Sequence, residues 1–243
     1  MGGLQISIVI PAYNEAARIC TTLEKIKQYL AENCGNAEVL VVDDGSTDRT
    51  TEIVEKHRAA WPCLRIIQNP ANRGKGFSVK HGSLQARGEI ILFTDADLSA
   101  PITEMPKLVQ PIQNGHCDIA FGSRAIDRSL IGIRQSLFRE YSGRIFNVFV
   151  HVIAGLPFKD TQCGFKAFRR TSILPVLERQ TITGFGFDPE ILFIARKRGL
   201  RLMEVAVRWD NAEGTTVRLS KDSLRMFLDL VRIRWNDLKG KYR

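Results

Sequence analysis

Short apolar runs alternate with helical patterns through the first half of the chain. "ISIVIPAY" (6–13), "EVLVVDDG" (38–45), "LRIIQN" (64–69), "EIILFTDAD" (89–97) and "CDIAFGSR" (117–124) are rich in Val, Ile and Leu. Such near-continuous runs read as strands of a parallel sheet covered on both faces. Between them, apolar residues recur at helical spacing over Glu15–Ala31, Thr50–Ala60, Gly76–Arg87 and Glu104–Asn114, and Ser46, Thr47 and Asp48 offer N-cap chemistry to the second of these. The alternation predicts an α/β fold, with a mostly parallel central sheet flanked by helices and joined by right-handed crossovers.

The second half is less regular. "REYSGRIFNVFVHVIAGL" reads as a helix, "DTQCGFKAFRR" as loop and strand, "DPEILFIARKRG" as a helix stopped by Gly199, and "RLMEVAVRWD" as a further strand. A polar loop, "NAEGTTVRLSKDS", leads into an amphipathic basic helix, "SLRMFLDLVRIRWNDLKGKYR". No repeat, low-complexity segment or linker divides the chain, so residues 1–243 are expected to form a single domain.

In open α/β sheets ligands bind beyond the carboxyl ends of the strands. That rule gathers Asn14, Glu15, Asp43, Asp44, Asp95, Asp97 and Arg124 onto one rim. Five acids on one edge are unfavourable without a cation or a donor-rich ligand. Asp95 and Asp97 point to the same side of an extended segment, roughly 6.5 to 7 Å apart along the backbone. They are either two solvated acids in a turn or a pair that shares a cation with a ligand.

Charge and cysteine content narrow the classes. Lys and Arg number 35 against 26 Asp and Glu, a net charge of +9. The balance favours an anionic partner: a phosphorylated substrate, membrane headgroups or nucleic acid. No nucleic-acid reader motif is present, so no nucleic-acid partner is expected. Five scattered cysteines without a C-x-x-C pair suit a reduced, cytoplasmic chain, and neither they nor the four isolated histidines spell a zinc site. The N-terminal residues carry no signal-peptide or lipidation pattern, and the longest apolar stretch, Ile145–Leu156, is too short to span a bilayer. "NRGKG" lacks Walker spacing and is no P-loop, yet its glycines precede a helix whose N-terminus, with Lys75, could face an anion; it is also an ordinary helix entry.

In this order and spacing, "VIPAYNE", "VVDDGSTDRT", "NRGKG", "TDAD" and "GSR" resemble family 2 glycosyltransferases of the GT-A fold. "RQSLFREYSGRIFNVF", "DTQCGFKAFRR" and "GFGFDPEIL" are similar to the polyprenyl-phosphate subgroup, dolichyl-phosphate glucosyltransferases above all, with mannosyltransferases using GDP-mannose next. The Q-x-x-R-W motif of processive synthases is absent. The resemblance implies an inverting transfer of a hexose, glucose from UDP-glucose first, to a polyprenyl or dolichyl phosphate; the alternatives are a family 2 transferase with a non-lipid saccharide acceptor and a noncatalytic nucleotide-binding module. Residues 1–125 would then be the nucleotide-sugar half and residues 126–243 the acceptor half.

The resemblance also implies roles. Pro11, Ala12, Tyr13, Glu15, Asp43 and Asp44 would hold the nucleoside. Asp97 would ligate Mg²⁺ or Mn²⁺, with Asp95 supporting ion and nucleotide beside Ala96, and Lys75 would meet the diphosphate. Arg218 and Lys221, in "GTTVRLSK", would close over the phosphates. Arg124 and Arg139, with Arg134 and Gln162, would bind the acceptor phosphate. Asp160, then Asp188, are candidates for positioning or base work. A phosphate with a second pKa near 6 is already largely dianionic at neutral pH, so a strong base is not required. The acceptor implies a peripheral site on the cytoplasmic face of a membrane, alone, with a membrane-protein partner or as a homo-oligomer. The two basic helices, 144–158 and 224–235, are either amphipathic surface elements or core helices.

Overall fold

A computed structural model describes residues 5–133, 135–211 and 219–243, with the side chains of residues 137–139 and 219–222 outside the description. Among the described residues seven strands form one sheet: β1 (Ile6–Ala12), β2 (Ala37–Asp43), β3 (Leu64–Gln68), β4 (Ile90–Thr94), β5 (Ile119–Ser123), β6 (Phe165–Arg169) and β7 (Leu202–Ala206). The order is β3-β2-β1-β4-β6-β5-β7, and all strands run parallel except β6, which is antiparallel to both neighbours. The helices are α1 (Ile19–Asn33), α2 (Thr50–Ala59), α3 (Lys75–Gln85), α4 (Met105–Gln113), α5 (Leu137–Phe149), α6 (Arg170–Arg179), α7 (Phe187–Lys197) and α8 (Leu219–Leu238).

The two-residue period of the strands divides the core. Ile6, Ile8 and Ile10 of β1 and Val39 and Val41 of β2 join α1 and α4 on one face. Val9, Leu40 and Val42 join residues of α3, α6, α7 and α8 on the other. Burial on both faces is why these strands read as unbroken apolar runs.

Two boundaries depart from the sequence pattern. α1 begins at Ile19, not Glu15, because Asn14 adopts φ 56° and the next residues are tied to the loop after β2. Asn14 N donates to Ser46 Oγ (3.0 Å), Glu15 N to Thr50 Oγ1 (2.8 Å) and Ala16 N to Asp48 Oδ2 (3.0 Å). Amides that would start a helix are thereby committed to side chains of a neighbouring element. At the other end, α8 starts at Leu219, inside the segment that composition assigns to a loop.

β6 sets the site. Its antiparallel course pairs Thr94 with Phe165, so the loop entering β6 arrives at the rim where the parallel strands end. Asp95 N donates to Gly164 O at 3.1 Å, stitching that loop to the acidic turn.

α5 with the π turn Val150–Ala154, and α8, each present an apolar stripe outward. Tyr141, Ile145, Val148 and Val152 are exposed on the first, and Leu224, Leu228, Val231, Trp235 and Leu238 on the second. Phe149 and Phe227 meet edge to face at 5.1 Å, joining the two helices.

Candidate active site

The rim is assembled from the ends of β1, β2, β4 and β5 and the starts of α3 and β6. Asp95 directly follows β4 and pairs with Lys75 Nζ at 2.7 Å. Lys75 opens α3, where Gly74 holds φ 99° against the Thr183 carbonyl, leaving only 2.5 Å for a Cβ. Burial pushes the Lys75 ammonium down, but Asp95, Asp188 and Asp97 together hold it above its ordinary value. Asp97 is half-buried, and its Oδ1 accepts from Ser99 N at 2.9 Å. Between them Ala96 is buried, and its carbonyl accepts from Thr22 Oγ1 at 2.5 Å. Glu15 faces the same space: burial raises its carboxyl despite Arg18, and the charges of Asp97 and Asp95 add to the rise.

Three carboxylates therefore converge, Asp95 paired directly with Lys75 and Glu15 with Arg18. Hard oxygen donors of this kind suit Mg²⁺ or Mn²⁺, which take one or two carboxylates and complete their sphere with phosphate and water oxygens. The residues fit such an ion.

Asp43 and Asp44, expected to accept from base or ribose, have both carboxylates committed inside the protein. Asp43 accepts from Ser46 N (3.1 Å) and Thr51 Oγ1 (2.7 Å). Asp44 accepts from Asn69 Nδ2 (2.8 Å), Arg73 N (3.0 Å) and Gly74 N (2.7 Å). Asp44 thus fastens "NRGKG" to the rim and aims Lys75. Pro11 is half-buried and Ala12 buried at the end of β1, while Tyr13 is exposed beside them.

The β6 side is an ion-pair cluster. Arg124 grips Asp160 in a fork, Nε to Oδ2 at 2.6 Å and a terminal nitrogen to Oδ1 at 2.9 Å, while Gln162 N adds a bond to Oδ1 at 3.1 Å. Burial raises the Asp160 carboxyl, but the Arg124 guanidinium outweighs it and holds the group below the usual carboxylate range. An acid held ionised and doubly hydrogen-bonded is a weak proton acceptor, so the geometry fits positioning of Arg124 and does not fit general base work. Asp188, in the first turn of α7, sits 2.6 Å from Lys166 Nζ, and Lys166 is fully buried. Burial pushes the Asp188 carboxyl up, while Lys166 and Lys75 pull it back. Arg134 and Arg218 lie outside the described residues, as do the side chains of Arg139 and Lys221.

Sequence reasoning passed over Lys166 and Gly164. A lone lysine inside "GFKAF" was the available signal for the first. For the second, a Cβ would sit 1.9 Å from Asp95 Oδ2. Gly164→Ala is therefore expected to displace the Asp95 carboxylate and cut turnover by about 10²-fold, the cost of misplacing a site group by about 1 Å. Steady-state assay with a melting curve checks it: unchanged turnover in a folded variant would show that Asp95 tolerates the shift.

Behind α7, a Cβ on Gly186 would meet Asp229 Oδ2 of α8 at 2.5 Å. Burial pushes the Asp229 carboxyl up to about 6, more than Arg232 lowers it. Because its native pKa exceeds the unfolded value of about 3.9, this group favours the fold when protonated; its contribution is full below about pH 4 and lost as pH rises through about 6. Asp229→Asn is expected to raise the urea midpoint relative to the parent at pH 7.5 and not at pH 4, and equal gains at both would exclude the linkage.

The chain's seven-stranded, mostly parallel sheet flanked by helices has GT-A glycosyltransferases as its structural neighbours. Solved glucosyl-3-phosphoglycerate synthase from Mycobacterium tuberculosis, in complex with Mn²⁺, uridine-diphosphate-glucose and phosphoglyceric acid, superposes with a TM-score of 0.68 at 21% identity, covering 94% of this chain and 79% of that one. The protein has the GT-A fold. Residues 7–174 match the family described as glycosyl transferase family 2, and the chain belongs to it. Among curated relatives, the dolichyl-phosphate beta-glucosyltransferase of Saccharomyces cerevisiae is 36% identical over 98% of this chain and 76% of its own length. The human protein of the same name is 34% identical over 98% of this chain and 78% of its own.

Proposed function

We propose that the chain transfers glucose from UDP-glucose to dolichyl phosphate or a related polyprenyl phosphate, with inversion and with Mg²⁺ or Mn²⁺ at Asp97 and Asp95. The observation that carries the reading is the near full-length likeness to dolichyl-phosphate beta-glucosyltransferases, 36% identical in the yeast case. The rim supports it: three carboxylates face one space with Lys75 and Arg18 paired to two of them, an arrangement suited to a further cation or a donor-rich ligand.

Residues 1–125 bind the donor and residues 126–243 the acceptor within one catalytic unit. Pro11, Ala12, Tyr13 and Glu15 contact the nucleoside, and Asp43 and Asp44 shape that loop from inside. An ion held by Asp97 and Asp95 would supply positive charge to the leaving diphosphate. Lys75 leaves Asp95 for the same diphosphate, and Arg218 and Lys221 close over it. Arg124, kept in its orientation by Asp160, meets the acceptor phosphate with Arg139, Arg134 and Gln162. Asp188 positions Lys75 through charge. The acceptor's own oxygen attacks in line, so orientation and neutralisation carry the rate.

The two outward apolar stripes support docking of α5 and α8 on a bilayer surface, on its cytoplasmic side in this reading, with the exposed Arg225, Arg232 and Arg234 toward anionic headgroups. No helix among the described residues is long and apolar enough to cross a membrane.

The test incubates the protein with dolichyl phosphate in anionic vesicles, Mg²⁺ and either UDP-glucose or GDP-mannose, and follows sugar into the organic phase. Glucose transfer with loss on EDTA is expected. Transfer from GDP-mannose alone overturns the donor, and transfer only to water-soluble acceptors overturns the lipid. Vesicle flotation that is unchanged in Leu228→Glu and Val152→Glu removes α5 and α8 as the docking face.

A further inference from the structure

We propose that Cys20, Glu24 and His57 form a binding site for a zinc-class divalent cation, distinct from the Asp95 and Asp97 rim. Cys20 and Glu24 stand one turn apart on α1, and α2, packed against it, brings His57 to the same spot. Cys20 Sγ lies 3.3 Å from His57 Nε2 and 3.6 Å from Glu24 Oε1, and all three donor atoms fall within 4.8 Å of one another. A tetrahedral ion with a metal–sulfur bond of about 2.3 Å and metal–nitrogen or metal–oxygen bonds of about 2.0 to 2.1 Å separates sulfur from each other ligand by roughly 3.5 Å. Two edges of that tetrahedron are therefore already present.

The donor set chooses the metal. One thiolate, one imidazole and one carboxylate suit a borderline-soft ion such as Zn²⁺, whereas the carboxylates of the rim suit hard Mg²⁺ or Mn²⁺. Cys20 and His57 are half-buried and Glu24 is exposed, so the fourth position is open to water. The thiol is held above its ordinary range by burial and by Glu24, with Lys56 acting in the opposite sense. Binding forms a metal–sulfur bond and releases the thiol proton to water.

The two sites face away from each other. Thr22, whose hydroxyl reaches the Ala96 carbonyl inside the acidic turn, is two residues from Cys20 and so about 200° around α1. An ion here ties α1 to α2, the helices that follow the loops Tyr13–Arg18 and Ser46–Arg49, and stiffens the nucleoside side of the rim without entering it.

The test titrates Co²⁺, then Zn²⁺, into the reduced, EDTA-treated full chain. A thiolate-to-cobalt charge-transfer band saturating at one equivalent, bleached by Zn²⁺, is expected. Cys20→Ser abolishes the band, and His57→Ala weakens binding by about 100-fold or more, since even outer partners of a metal ligand are worth 10- to 100-fold. Cys63→Ser and Asp97→Asn leave it unchanged, and Zn²⁺ raises the melting temperature of the parent but not of Cys20→Ser. A band that survives in Cys20→Ser, that needs Cys63, or that never forms in the parent overturns the site. Because no reading depends on sugar transfer, the outcome is independent of the proposed reaction.

Discussion

Asp97→Ala is expected to lose at least about 10³-fold in transfer while keeping its fold. The structural cost is small: Asp97 accepts one backbone hydrogen bond, from Ser99 N at 2.9 Å, at a half-buried position in a turn. Losing a side-chain bond of that kind costs about 1 kcal/mol. The catalytic cost is larger, since a cation held by Asp97 would stabilise several kcal/mol of charge developing on the diphosphate. About 4 kcal/mol corresponds to 10³ in rate. The comparison with Asp95→Ala separates binding from pairing, because that change also releases Lys75 from its 2.7 Å partner. Transfer rates with and without added Mn²⁺, beside circular dichroism and melting curves, decide the matter. A folded Asp97→Ala protein with parental, EDTA-sensitive turnover would remove Asp97 from the metal site.

What the sequence made legible follows from period. β1, β2, β4 and β5 were readable because buried strands must be apolar on both faces, the partly buried edge strands β3 and β7 showed as apolar runs broken by polar residues, and the rim followed from the carboxyl ends of the parallel strands. The direction of β6 was not, because "FKAF" has the same composition whichever way it runs. That direction matters most for the site: it brings Gly164 and Asp160 to Asp95 and Arg124. The start of α1 was misplaced because helical spacing cannot register that Asn14 to Ala16 bond to another loop. α5 and α8 carried stripes compatible with either core or surface, and only packing decides which side faces out. Nor does spacing bring Cys20 to His57, 37 positions apart, until α1 lies on α2.

The largest stability effect is expected at Lys166 and Asp188. Lys166 is fully buried, its Nζ 2.6 Å from Asp188 and donating at 2.6 Å to the Cys163 carbonyl, and Asp188 is 3% exposed. Removing one partner of such a pair leaves an uncompensated buried charge, so Asp188→Leu and Lys166→Met are each expected to cost about 3–5 kcal/mol by urea denaturation. The double variant replaces both charges with apolar volume and is expected to recover most of that loss, giving a coupling of at least about 2 kcal/mol. Additive losses would mean that Lys166 is held by Cys163 and its other neighbours, not by Asp188. Activity separates stability from function in the same variant. Asp188 is among the charges that hold Lys75 protonated, after Asp95 and ahead of Asp97. A stable double variant that turns over slowly would therefore mean that the buried pair is retained for the field it places on Lys75, since apolar residues would fill the space as well.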